Sequence, residues 1–159
     1  MHEGVEWALH SCLNLAWAGD ERAITAARLA AYHDLPAAYL NKQLQALARA
    51  GIVSSAPGPR GGFRLARRPE DVTLMDVVAA IEGPEQAFRC TEIRQQGPGA
   101  GMPDNYGEPC TVSRAMRSAE LAWRQELAGQ TLADVKATAE RTAPGVPARV
   151  RRWFADSRT

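Results

Sequence analysis

The stretch AITAARLAAYHDLPAAYLNKQLQALARAGIVSSAPGPRGGFRLA, Ala23 to Ala66, decides the fold. Thr25 is placed to cap a helix running from Ala26 to His33. Asp34-Leu35-Pro36 is a short turn, and Pro36 suits the first position of a second helix that runs to about Ala50 and stops at Gly51. Leu40, Leu44 and Leu47 recur at helical spacing as its buried stripe, with Ala38, Lys42, Gln45 and Arg49 on the opposite face. Two helices joined by so short a turn make a helix-turn-helix. Ile52 to Ser55 and Phe63 to Ala66 read as strands around Ala56-Pro57-Gly58-Pro59-Arg60-Gly61-Gly62, which predicts a hairpin. A hairpin directly after a helix-turn-helix is a wing.

Upstream, Val5, Leu9, Cys12, Leu13 and Ala16 give residues 3–18 a helical pattern that Gly19-Asp20 ends. Downstream, Thr73 caps a helix from Leu74 to Glu82, with Asp76 placed to favour its dipole. Residues 83–110 then break the pattern: five of these 28 residues are Gly and four are Pro. An irregular segment that long inside a compact chain is usually functional or disordered. It contains Cys90 and closes on Cys110. A long helix is predicted from Thr111 to Leu127, with Val112, Ala115, Met116, Ala119, Ala122, Trp123 and Leu127 as its apolar stripe. Small alanines on such a stripe allow close helix–helix approach, so we read it as a dimerisation helix. The alternative is packing back on its own domain. Shorter helices are expected over 131–142 and 147–155. The fold class is mainly α with a small β-hairpin wing. The expected divisions are a winged helix-turn-helix over 1–82, a loop over 83–110, and the dimerisation helix with C-terminal helices over 111–159.

With 159 residues, 45% hydrophobic and 23% charged, the composition is that of a globular protein. No apolar run approaches the 18 residues of a membrane span. Met1-His2-Glu3-Gly4 has no cationic leader pattern, so a cytoplasmic location is expected. Net charge is only +1, but residues 35–69 hold Lys42, Arg49, Arg60, Arg64, Arg67 and Arg68 and no acid. The other residues carry 13 basic and 18 acidic side chains. This asymmetry favours a double-stranded DNA face over a protein-docking face, since phosphate neutralisation dominates DNA affinity. Tyr39, Lys42, Gln43 and Gln45 of the second helix are expected to contact bases or phosphates in a major groove. Arg60 at the wing tip suits a minor groove. A two-fold, palindromic operator is expected for a homodimer.

Cys12 falls in an apolar helix and reads as a core residue. Cys90 and Cys110 bracket the Gly/Pro-rich loop and leave three readings open: a regulatory disulfide, a zinc site, or an iron–sulfur cluster. Two thiolates are too few for the usual all-cysteine cluster, so further ligands would come from His, Asp or Glu. No nucleophile elbow, phosphate loop or zinc-protease motif is present, so an enzyme is not expected.

Tyr39-Leu40, Leu47, Gly51-Ile52-Val53-Ser54-Ser55, Gly61-Gly62-Phe63-Arg64-Leu65, Val72-Thr73-Leu74, Asp76-Val77 and Ala80-Ile81-Glu82-Gly83 together resemble the Rrf2 family of bacterial transcription regulators. The resemblance covers roughly residues 4–127 and implies a dimeric winged-helix protein. Many members hold an iron–sulfur cluster through three cysteines after the fourth helix; here the loop has two. The segments Gly4-Val5-Glu6-Trp7-Ala8-Leu9-His10, His33-Asp34 and Phe88-Arg89-Cys90-Thr91-Glu92-Ile93-Arg94 are most similar to the redox-sensing RsrR branch. That resemblance implies a 2Fe-2S cluster held by Cys90, Cys110, Glu6 and His33, with ligands from both subunits. Glu3 and His10 are the alternative acid and imidazole. Trp7, next to Glu6, is a candidate relay of the redox state; the plainer reading is a static core ring.

Overall fold

The computed structural model describes residues 3–101 and 107–156. Met1 and His2 of the leader reading and Pro103 of the loop lie outside the described residues. The chain forms two compact units, residues 1–83 with 127–159, and residues 84–126.

The first unit opens with α1 (Glu3–Ala18), whose Val5, Ala8, Cys12, Leu13 and Leu15 are all buried. The helix-turn-helix follows as α2 (Ala26–Tyr32) and α3 (Ala37–Arg49). Thr25 accepts the Arg28 backbone N–H, the predicted cap. The turn closes through Leu35 N–H to Ala30 O at 2.9 Å, with Asp34 at φ 53, a conformation that Asp tolerates. His33 is the C-cap of α2 rather than its last turn, and Pro36 is the N-cap of α3 rather than its first residue. Leu29, Leu40, Leu44 and Leu47 are fully buried. Each such side chain contributes about 1.5–3 kcal/mol of burial free energy.

The hairpin consists of β1 (Val53–Ala56) and β2 (Gly62–Leu65), antiparallel with Ser55 opposite Phe63. Ile52, expected to begin the first strand, is instead a buried core residue just before it. The wing is also tied to the helix-turn-helix. Ile24 N–H donates to Phe63 O at 3.0 Å and Phe63 N–H to Ile24 O at 2.7 Å, so the residue before the α2 cap forms an isolated antiparallel bridge to β2. Gly62 permits this. Its φ is 136, and a Cβ there would stand 2.5 Å from the Ile24 carbonyl carbon. Gly62→Ala is therefore expected to destabilise the protein by about 2–4 kcal/mol, from left-handed strain plus a backbone clash. Urea unfolding checks this; an unchanged midpoint would mean that the wing does not need this approach.

α4 (Leu74–Glu82) starts at Thr73, as predicted, with a reciprocal capping box to Asp76. α6 (Leu132–Thr142) repeats the device with Thr131 and Asp134, and the two caps meet in an antiparallel bridge. α7 (Val146–Asp156) ends the described chain. Leu132, Val150 and Phe154 enter the same core as α1 to α4. The expected division at 110/111 thus differs from the compact units, because the C-terminal helices complete the N-terminal core.

The second unit holds a short 3-10 turn (Ile93–Gln95), a 3-10 run (Gly97–Gly101) and most of α5 (Thr111–Ala128). Glu120 accepts from Arg124 at 2.9 Å and from the Ala87 N–H at 3.3 Å, and Arg124 donates to Glu85 O at 2.9 Å. Val112, Met116 and Leu121 of α5 are exposed, at 60%, 43% and 57%.

Candidate nucleic-acid interface and metal-ligand groups

α3 offers Lys42 and Gln45 to solvent. Tyr39 is half-buried, its ring edge-on to Trp7 with centroids 5.0 Å apart. Trp7 thus links α1 to α3. Gln43, expected to contact DNA, is only 5% exposed. It lies on the 40/43/44/47 face that packs inward, so its polar identity was a misleading signal. Arg60 is exposed at the wing turn. Arg22, outside the predicted set, lines one cleft with Arg60 and Arg64. Its position in the turn before α2 carried no sequence signal.

Glu6 and His10 are one helical turn apart on α1 and line one surface pocket with Glu3, Leu9 and Val135. Spacing of i, i+4 places both side chains on one helix face. His33 stands beside His10, with ring centroids 5.5 Å apart, and 4.9 Å from Tyr32. Its Nε2 is 2.9 Å from the buried Asn14 amide. Burial, and then the charge of His10, push the His33 pKa down.

Cys90 and Cys110 belong to the other unit, and both are free thiols. Cys110 precedes α5 and caps it: the Ser113 and then the Val112 backbone N–H bond its sulfur and lower its pKa, with Arg94 adding attraction. Its carbonyl accepts the Arg114 N–H at 2.9 Å. Arg94 pairs with Glu92, reaches Glu108 O at 3.2 Å, and feels the charge of both cysteines. Cys12 is the opposite case, fully buried with its pKa pushed up to about 12 by burial. In metal-free protein, iodoacetamide is expected to modify Cys110 at a pH below the ordinary thiol range and to spare Cys12 until the chain unfolds. Mass-mapped alkylation from pH 6 to pH 9 checks this; equal rates at Cys90 and Cys110 throughout would contradict the cap effect.

Among the described residues, no three His, Cys, Asp or Glu side chains gather into a metal site. Each unit offers a pair of donors. The pairs are chemically matched to a mixed cluster: a thiol stabilised as thiolate with a second thiol, and a carboxylate with imidazole.

A helix-turn-helix with a pinned wing defines a winged-helix regulator. The chain belongs to the Rrf2 family, whose model, described as an iron-dependent transcriptional regulator, matches residues 1–138. It is a family of transcriptional regulators, not of enzymes. BadM of Rhodopseudomonas palustris is 40% identical over 74 residues, 46% of this chain and 47% of that protein. The chain thus spans about half the length of that relative. Among solved structures, CymR, named the global cysteine regulator of B. subtilis, superposes with TM-score 0.66 at 23% identity, covering 87% of this chain and 96% of CymR. IscR of T. potens gives TM-score 0.67 at 20% identity, covering 90% of both. These superpositions establish the mainly helical fold with its two-stranded wing. Among the described residues, no helix is long and apolar enough to cross a membrane.

Proposed function

We propose that the chain is a dimeric, DNA-binding regulator that senses redox state through a 2Fe-2S cluster. The carrying observation is the pair Cys90 and Cys110 around Arg94, with Cys110 held toward thiolate by the α5 N-terminus. Iron dependence in the family description supports it. Cys90 and Cys110 would hold one iron, and Glu6 with a histidine the other. His33 is the histidine that the resemblance implies. The geometry favours His10, which shares the Glu6 face while Asn14 engages His33 Nε2. When bound, such a cluster supplies reversible one-electron chemistry.

The exposed Val112 and Met116 of α5 are the surface on which a second copy would pack. Tyr39, Lys42, Gln45 and Arg60 are the proposed DNA contacts, and buried Gln43 is left out. Two recognition helices about one helical turn apart would read a palindromic operator. Trp7 would pass any shift of α1 at Glu6 to Tyr39 on α3. Iron, sulfide and the visible spectrum of anaerobically purified protein test the reading. Iron and sulfide in equal amounts support it; zinc or no metal overturns it.

Replacing two thiolates of an all-cysteine site with carboxylate and neutral imidazole makes the site less negative by one charge. The midpoint potential is therefore expected well above the plant-type ferredoxin value of about −400 mV. A redox titration placing it in that range would contradict the mixed ligand set.

The second reading is a thiol–disulfide or zinc switch at Cys90 and Cys110. It is favoured by the exposure of Cys90 and the lowered pKa of Cys110. The likeness to CymR, named a cysteine regulator, is consistent with it.

A further inference from the structure

We infer that the cleft between the 19–25 turn and the wing seats a backbone phosphate of bound DNA, gripped by Arg22 and Arg64 with Arg60 at its mouth. The inference rests on the DNA-binding reading above and adds two contacts to it.

The first observation is charge. Arg22, Arg28, Arg60 and Arg64 line one cleft with a single carboxylate, Glu21. Among the described residues, Arg22, Arg60 and Arg64 have no ion pair or hydrogen-bond partner. Nearby Arg67 and Arg68 do have carboxylates, Asp76 at 3.7 Å and Asp71 at 2.9 Å. The cleft therefore concentrates positive charge, with four guanidiniums against one carboxylate among the described residues. Arg28 forms its fixed wall. Its guanidinium donates to Phe154 O and lies 6.0 Å from the Trp153 ring and 5.7 Å from the Phe154 ring. Burial, then the charge of Arg22, lowers its pKa, which is consistent with a crowded cationic site.

The second observation is rigidity. The two walls are bonded to each other through Ile24 and Phe63, and Gly62 lets the wing backbone lie close against Ile24 and Thr25. A phosphate entering the cleft would meet guanidiniums whose planar forks suit its oxygens. Arg60 belongs both to this cleft and to the proposed minor-groove contact, so the cleft is continuous with the DNA face. This continuity favours a duplex phosphate over a free anion.

The test is fluorescence anisotropy with a labelled mixed-sequence duplex of roughly 30 base pairs, titrated from about 50 to about 200 mM salt. Arg22→Ala and Arg64→Ala are each expected to weaken binding about threefold to tenfold, equally on duplexes of unrelated sequence. Each should lower the log–log salt slope by about 0.9, the value for one lost phosphate contact. Arg22→Lys and Arg64→Lys should keep most of the slope. Both arginines are exposed, so unchanged thermal melts are expected to accompany the loss. A parent that binds while both alanine variants match it in affinity and slope overturns the cleft alone. A parent that binds no duplex overturns the DNA reading and the cleft together.

Discussion

Cys90→Ser and Cys110→Ser proteins, purified without oxygen, are each expected to retain less than about one tenth of the parent's iron and sulfide. Serine at 110 is the informative choice. It keeps an oxygen at the α5 cap, where Ser113 and Val112 donate, so the helix start survives while the thiolate is lost. Alanine there would also remove the cap, at about 1 kcal/mol, and confuse the two effects. Glu6→Ala should lose the cluster as well. His10→Ala and His33→Ala separate the two imidazoles: the proposed geometry places the loss at His10, and loss only at His33 would return the ligand to the end of α2. Full iron in both cysteine variants would remove the cluster from this loop. A disulfide, or zinc released by oxidation, would then favour the second reading.

The other large effect is expected at the DNA face. Lys42→Ala with Arg60→Ala should weaken duplex binding about a hundredfold at physiological salt, since each removes a contact of roughly 1–3 kcal/mol at separate places on the interface. Lys42 lies on the outward face of α3 and Arg60 at the wing turn; neither is buried, so the fold should be unaffected. Gln43→Ala is the contrasting substitution. Gln43 sits among Leu40, Leu44 and Leu47, so its loss should lower stability and leave the contacts themselves intact. Parent-like affinity in the Lys42/Arg60 double variant would show that the recognition face is misassigned.

Local chemistry was legible where one residue type had one reason to be in place. Thr25 and Thr73 cap helices as expected, and the leucine spacing of α3 located its buried stripe. Polarity misled at Gln43, because position on the helix face, not side-chain type, decides burial there. The strand limits moved by one residue because Ile52 serves the core and Gly62 begins the second strand. What could not be read was long-range. Nothing local joins Ile24 to Phe63, or sends Leu132, Val150 and Phe154 back to α1. For the candidate site, Cys90, Cys110 and Glu6 rest on residue type and resemblance alone. The role of Cys110 as a helix cap, the Asn14 contact of His33 and the place of Arg22 in the cleft depend on neighbours distant in sequence or on hydrogen bonds that spacing does not reveal.

The return of residues 127–159 to the first unit also governs how such a regulator can be rebuilt. A DNA-binding module cut out as residues 1–82 would leave the places of Leu132, Val150 and Phe154 open, and would expose the faces of Trp17 and Arg28 that α6 and α7 cover. Residues 84–126 are an insertion between two parts of one compact unit, not an appendage to it. A chimera that borrows another regulator's sensor therefore needs two junctions, near Gly83 and Leu127, and must carry the C-terminal helices along. A single crossover after α4, the obvious place from the order of elements, would separate the two halves of one core.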